Sequence, residues 1–211
     1  MSSRSALWVV KIGGSVAGSP ALMAWLRVLS PCRKPRVVIV PGGGPFADAV
    51  RTAQRACGFD DGPAHRMAML AMEQFGLMLS GLSPGLHPAD SKTAIRAIHR
   101  QGGVPVWLPT RMAAASKDIR ASWEVTSDSL AAWLAGALGA DRLVLVKAAA
   151  PPPHRASAAA LSDSGLTDKA FPSFIDGRGF ETWCVSSARH RDMARALKSG
   201  TGPGTRVVTG A

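Results

Sequence analysis

A chain of 211 residues, 46% hydrophobic and 18% charged, suits one α/β domain with a sizeable core. Its net charge of +11 invites anionic partners, but the densest basic clusters, Arg33-Lys34-Arg36 and Arg189-Arg191-Arg195-Lys198, carry no interleaved stacking aromatics and tyrosine is absent, which argues against nucleic acid as a partner. No apolar run reaches the ~18 residues a bilayer needs, no leader-like pattern precedes Leu7, and Cys32, Cys57 and Cys184 form no CxxC pair, so the expectation is a cytoplasmic protein with no membrane partner, no metal-binding motif and buried or half-buried thiols.

In chain order, residues 7–12 read as a buried strand that ends in a glycine turn. Ser19-Pro20 opens a helix through Leu22, Trp25, Leu26 and Leu29, which stops before Pro31. Residues 36–40 form a second β-branched strand, again followed by a glycine turn, and a helix with Phe46, Val50 and Ala53 on one face comes next. Residues 64–82 predict a long methionine-rich helix, apolar on nearly every side and therefore buried in the domain or at a subunit contact, which favours a homodimer or higher homo-oligomer. Asp90 is placed as the cap of a helix ending near Gly102-Gly103, and 104–109 as a strand. A helix over 127–138, a strand over 142–146, a Pro- and Ala-rich loop over 148–160, a strand near 182–185, a helix near 190–198 and a strand over 206–208 complete the pattern. Alternating strands and helices predict an α/β, three-layer αβα sandwich around a mostly parallel sheet, with no internal repeat or domain boundary.

Ligands of such sheets sit at the carboxyl ends of the strands, where both glycine loops fall. Lys11-Ile12-Gly13-Gly14-Ser15 and Gly42-Gly43-Gly44 each lie between a strand and a helix, so their amides and the helix N-termini suit phosphates. Neither is a GxxxxGK[ST] loop or a GxGxxG fingerprint. Lys11, at the end of its strand, is placed to neutralise what those amides bind, although a strand-end lysine can equally snorkel to solvent. Ser127 and Asp128 open an Ala-rich helix, where one of them suffices as a cap. His65 beside Arg66 at a helix start, and Arg111 after a strand end, are candidate substrate-binding residues for an anionic acceptor.

Four motifs in order resemble those of the amino-acid kinase superfamily: Val10-Lys11-Ile12-Gly13-Gly14-Ser15, Val40-Pro41-Gly42-Gly43-Gly44, Thr126-Ser127-Asp128 followed by Ala131 and Ala132, and Gly204-Thr205-Arg206-Val207. The resemblance implies one kinase domain over 1–211, with an acceptor-side half of about 1–120 and a nucleotide-side half of about 121–211. It implies ATP and Mg2+ as cofactors and a small phosphorylated molecule as partner. Lys11 then resembles the lysine that bridges the transferred phosphoryl group, and Asp128 the aspartate that organises the active-site lysines. Gly13, Gly14 and Ser15 resemble the loop on the nucleotide phosphates, and Gly42, Gly43 and Gly44 the loop facing the acceptor and the transferred group. Thr126 and Lys147 fall on the nucleotide side.

The stretches Ala64-His65-Arg66-Met67-Ala68-Met69-Leu70-Ala71-Met72-Glu73-Gln74 and Ser122-Trp123-Glu124-Val125-Thr126-Ser127-Asp128-Ser129 resemble a subgroup of short kinases of methanofuran biosynthesis, whose acceptor is a phosphorylated aminomethylfuran. One departure stands out. Where the superfamily has an Asp-Gly pair after the strand at Val144, this chain reads Lys147-Ala148-Ala149-Ala150-Pro151-Pro152-Pro153. Two functions stay open: an ATP-dependent phosphotransferase, and a non-catalytic binding or regulatory protein on the same fold.

Overall fold

The computed structural model describes residues 5–209. Strand β1 (Leu7–Ile12) passes through a 3-10 turn at Gly14–Val16 into helix α1 (Ala21–Leu29). Strand β2 (Arg36–Pro41) leads directly into α2 (Gly44–Cys57), and Gly58 closes that helix in the left-handed conformation. There follow α3 (Asp61–Leu82), β3 (Leu86–Ala89), α4 (Lys92–Arg100), β4 (Val104–Trp107) and the single-turn α5 (Thr110–Ala113). The second half adds α6 (Ser127–Leu138), β5 (Arg142–Lys147), β6 (Arg155–Ser157), α7 (Ala158–Asp163), α8 (Phe171–Ile175), β7 (Glu181–Ser186), α9 (His190–Ser199) and β8 (Thr205–Val208).

The strands form one sheet in the order β3-β4-β2-β1-β5-β7-β8-β6, parallel throughout except for the β7–β8 pair. The expected αβα sandwich therefore forms. Successive side chains of a strand point to opposite faces. Trp8, Val10 and Ile12 of β1, with Val144 and Val146 of β5, pack against Trp25 and Leu26 of α1 and Met193 of α9. Leu7, Val9, Leu143 and Leu145 face the other way, onto Leu130 and Leu134 of α6. Both faces are buried, which is why these strands are continuous apolar runs rather than alternating ones.

Several expectations need correction. Helix α3 begins at Asp61, three residues before the expected start, because Asp60 is the extended N-cap and Pro63 sits in a first turn that needs no amide donors. His65 and Arg66 consequently lie in the second turn, where their amides belong to the helix and offer no anion site. Ser91, not Asp90, caps α4, its Oγ accepting from the Ala94 amide at 3.2 Å. Strand β3, for which no element was expected, contains Pro88, and as an edge strand it tolerates the missing donor. The strand expected over 104–109 ends at Trp107, and the stretch expected as a loop over 148–160 holds β6 and the start of α7. Cys184 is buried and Cys32 half-buried as expected, but Cys57 is exposed at the end of α2.

Candidate active site

The strand period builds the centre of the site. Lys11 pairs in register with Leu145, so Lys11, Leu145 and, two residues on, Lys147 all point toward α6. The apolar residues before each lysine fill the core beneath α6, and the lysines at the carboxyl ends emerge at its N-terminus. There Asp128, in the first turn of α6, meets both: Lys11 Nζ lies 2.8 Å from Asp128 Oδ1 and Lys147 Nζ 2.5 Å from Oδ2. The side chains of Lys11 and Asp128 are each 5% exposed and that of Lys147 12%.

Burial alone would raise the Asp128 carboxyl, but the two ammonium groups reverse that and hold it at about 2. Burial pulls Lys11 below its ordinary value, opposed by the charge of Asp128 and reinforced by that of Lys147. Two cations thus share one anion, and the excess of positive charge is held rigid in a place poor in water. Such a centre favours an incoming anion, and binding one relieves the lysine repulsion.

The glycine loops close over this centre. The Gly13 amide donates to Val146 O at 3.1 Å and the Gly42 amide to Ile12 O at 2.8 Å, so each loop is fastened to the end of the neighbouring strand. Gly14 and Gly44 are in backbone contact, and a Cβ on Gly14 would fall inside the Gly44 backbone. Gly44 itself has φ +56°, a conformation that L side chains rarely adopt.

Two cavities adjoin, with Trp123 and Thr126 lining both. The first, about 450 Å³, has an apolar wall of Met69, Met72, Val125 and Leu130, and a polar side that includes Gly14, Ser15, Gly43, Gly44 and His65. His65 is buried, its Nε2 has no partner, and burial lowers its basicity although the Ser122 backbone partly opposes this. At the mouth, Trp123 is held by a hydrogen bond from its Nε1 to Gln54 Oε1, 2.6 Å, with the Arg51 guanidinium 4.4 Å over its ring. The second cavity, about 930 Å³ and wider open, contains Lys11, Asp128 and Lys147 and is walled by residues of the segment 162–169.

The structure therefore brings together Lys11, Asp128, Lys147, Thr126, both glycine loops and His65. It does not bring in the two arginines. Arg66 is exposed on α3, and Arg111 is paired at the surface with Asp90 at 3.0 Å; neither lines either cavity. Ser15, expected on the nucleotide phosphates, lines the first cavity with Gly43 and Gly44. Sequence reading missed Asp168, which accepts hydrogen bonds from Thr126 and Ser129 at the start of α6. No spacing rule links a carboxylate to a helix forty residues earlier. Among the described residues, no group of three or more His, Cys, Asp or Glu side chains is arranged to hold a metal ion.

Paired buried lysines around one aspartate, facing two glycine loops across a parallel sheet, define a phosphate-handling α/β protein. Residues 6–150 match the model of the amino acid kinase family, and the chain belongs to that family. It is 26% identical over 139 residues to the [5-(aminomethyl)furan-3-yl]methyl phosphate kinase of Methanocaldococcus jannaschii, a match covering 65% of this chain and 63% of that protein. Among solved structures, the fold is similar to the uridylate kinase of Archaeoglobus fulgidus, with a TM-score of 0.73 at 17% identity, covering 95% of this chain and 99% of that one. The UMP kinase of Ureaplasma parvum superposes with a TM-score of 0.72 at 14% identity, covering 98% and 97%. No helix among the described residues is long and apolar enough to cross a membrane.

Proposed function

We propose that the chain is an ATP-dependent phosphotransferase that adds a phosphoryl group to a small phosphorylated acceptor, an aminomethylfuran-type phosphate of C1-carrier cofactor synthesis. The observation that carries this reading is the Lys11–Asp128–Lys147 cluster inside the second cavity, which adjoins the first at Trp123 and Thr126. Phosphoryl transfer needs little covalent work from the protein: it needs two substrates in line and charge neutralised between them. The first cavity suits the acceptor, with a ring against Met69, Met72 and Val125, and its phosphate toward the glycine loops and Lys11. The second suits the nucleotide, whose phosphates would meet Lys11 and Lys147. Both lie in one domain, the acceptor cavity drawing mainly on its first half and the nucleotide cavity mainly on its second, with Lys11 reaching in from the first. The similarity to the [5-(aminomethyl)furan-3-yl]methyl phosphate kinase of Methanocaldococcus jannaschii supports the substrate class.

The residues present suit a nucleotide phosphate chain better than a free metal. Asp128 is engaged by two lysines and Asp168 by α6, so neither carboxylate is open. Magnesium therefore fits as the companion of the phosphates, bound by their oxygens and water. It supplies charge neutralisation on the nucleotide side.

A homodimer completes the reading. Helix α3 leaves Met67, Leu70 and Leu77 exposed, a row on one side of a helix whose other side is buried, which suits a second copy. The deciding experiment measures ADP release from ATP with [5-(aminomethyl)furan-3-yl]methyl phosphate, UMP or a carboxylate acceptor. Acceptor-dependent ADP with the furan phosphate, lost in Lys11→Ala, is expected. ATP binding without acceptor-dependent ADP would favour the non-catalytic reading, toward which the missing Asp-Gly turn after β5 points.

A further inference from the structure

We propose that Asp168 is a positioning residue that holds the first turn of α6, and with it Asp128, between the two lysines; this rests on Lys11–Asp128–Lys147 being the transfer centre. A helix start leaves several amides without partners, and a side chain at the N-cap normally satisfies them. Thr126, the N-cap of α6, makes no such hydrogen bond. Its hydroxyl is instead turned to Asp168 Oδ2, donating at 2.8 Å, while the Thr126 amide donates to the same oxygen at 2.9 Å and the Ser129 amide at 3.0 Å. The Ser129 hydroxyl donates to Oδ1. One carboxylate thus takes both the amides and the hydroxyls that flank Asp128, and its charge sits at the positive end of the helix.

The carboxylate is itself fixed. The Ala170 amide donates to Glu124 O at 3.0 Å, and the Ser162 hydroxyl to Asp168 O at 3.2 Å. Asp168 belongs to the segment that walls the second cavity, so one residue joins the nucleotide wall to the helix that carries Asp128. Asp128 contributes nothing without accurate placement: its two oxygens serve two different lysines, and a rotation of the first turn would leave one ammonium unpaired.

The test compares Asp168→Ala and Asp168→Asn in the full chain, with Ser129→Ala as a milder variant. Asn keeps an amide oxygen for the Thr126 and Ser129 amides; Ala removes every acceptor. Two readouts are taken: kcat and KM with ATP and [5-(aminomethyl)furan-3-yl]methyl phosphate, and labelling of Lys11 and Lys147 by an amine-acetylating reagent, followed by mass spectrometry without substrate. For Asp168→Ala, kcat falls on the order of 10- to 100-fold, acceptor KM stays within about twofold, and both lysines label faster. Asp168→Asn restores most of kcat and the slow labelling. Unchanged lysine labelling in folded Asp168→Ala overturns the proposal. Should that variant not fold, slow labelling in Ser129→Ala together with a full loss of kcat in Asp168→Asn overturns it equally. Labelling needs no turnover: if the wild type releases no ADP, the kinase reading fails, while the lysine reactivities still decide the role of Asp168.

Discussion

Replacing Asp128 by Asn keeps the shape of the cluster and removes its one negative charge, which makes it the sharpest probe of the site. The depression of Asp128 from 3.8 to about 2 corresponds to about 2 kcal/mol in favour of the ionised carboxyl, at ~1.36 kcal/mol per pH unit. Breaking a buried ion pair costs about 3–5 kcal/mol when the surviving charge has no escape. Here it has one. Burial already pulls Lys11 below its ordinary value, and losing the Asp128 charge lowers it further, so in Asp128→Asn that lysine gives up its proton more readily. The expected loss is therefore about 2–3 kcal/mol, or a melting temperature lower by about 4–12 °C for a chain of this size.

The pH dependence separates this account from a packing defect. The folded value of Asp128 lies below its unfolded one, so its stabilisation is complete above 3.8 and drains away as pH falls through about 2. Urea denaturation of the wild type between pH 5 and pH 2 should show that loss, and Asp128→Asn should lack this carboxyl's share of it. Activity of the variant should fall by about 100-fold at neutral pH and recover in part toward lower pH, where Lys11 regains its proton. A variant as stable as the wild type at pH 7, with the same acid slope, would refute the charge argument. A variant equally weak at every pH would reduce Asp128 to a packing group.

Gly14→Ala and Gly44→Ala should differ. The first drives a methyl into the Gly44 backbone and must part the two loops, so binding of the acceptor phosphate should be lost in calorimetric titration with [5-(aminomethyl)furan-3-yl]methyl phosphate. The second meets only ordinary contacts, the nearest at 3.7 Å, and suffers the left-handed backbone penalty of about 1–2 kcal/mol, read as a lowered melting temperature with binding of the furan phosphate retained. For the α3 row, Leu77→Glu should turn a dimer into a monomer of 22.0 kDa by light scattering without altering the melting of the monomer core, since Leu77 is 53% exposed.

The centre of the site was legible because it obeys short-range rules. Lys11 and the glycine loops sit where a buried strand must turn, and Asp128 sits where a helix must start, so local chemistry marks all of them. Their convergence follows from two periodicities, since strand alternation aims residues 11 and 147 at the same helix end once β1 and β5 are neighbours. What was not legible depends on tertiary neighbours. Asp168 looks like any turn aspartate until the segment that bears it packs on α6. Arg111 looks like an anion-seeking group until Asp90 is found beside it. Helices α5, α7 and α8, of 4, 6 and 5 residues, are too short for a helical period to register.

The Ala-Pro stretch after Lys147 is where the structure most alters the reading of the sequence. Three consecutive prolines provide no amide donors, which suggests an unanchored loop. Yet the Pro152 carbonyl accepts from the Thr205 hydroxyl, the Arg206 amide donates to His154 O at 2.9 Å, and residues 155–157 pair in parallel with β8. The prolines restrict the backbone where it needs no donors, and one carbonyl they keep, that of Pro152, is used by β8. The segment after β5 is thus an ordered edge of the sheet. The absent Asp-Gly turn changes the chemistry of that edge without leaving it loose: residues 150–154 line a separate pocket with Ser186, Arg189 and Thr205, outside the cavity that holds Lys11, Asp128 and Lys147. The substitution therefore reshapes a pocket beside the lysine cluster and leaves the cluster itself untouched.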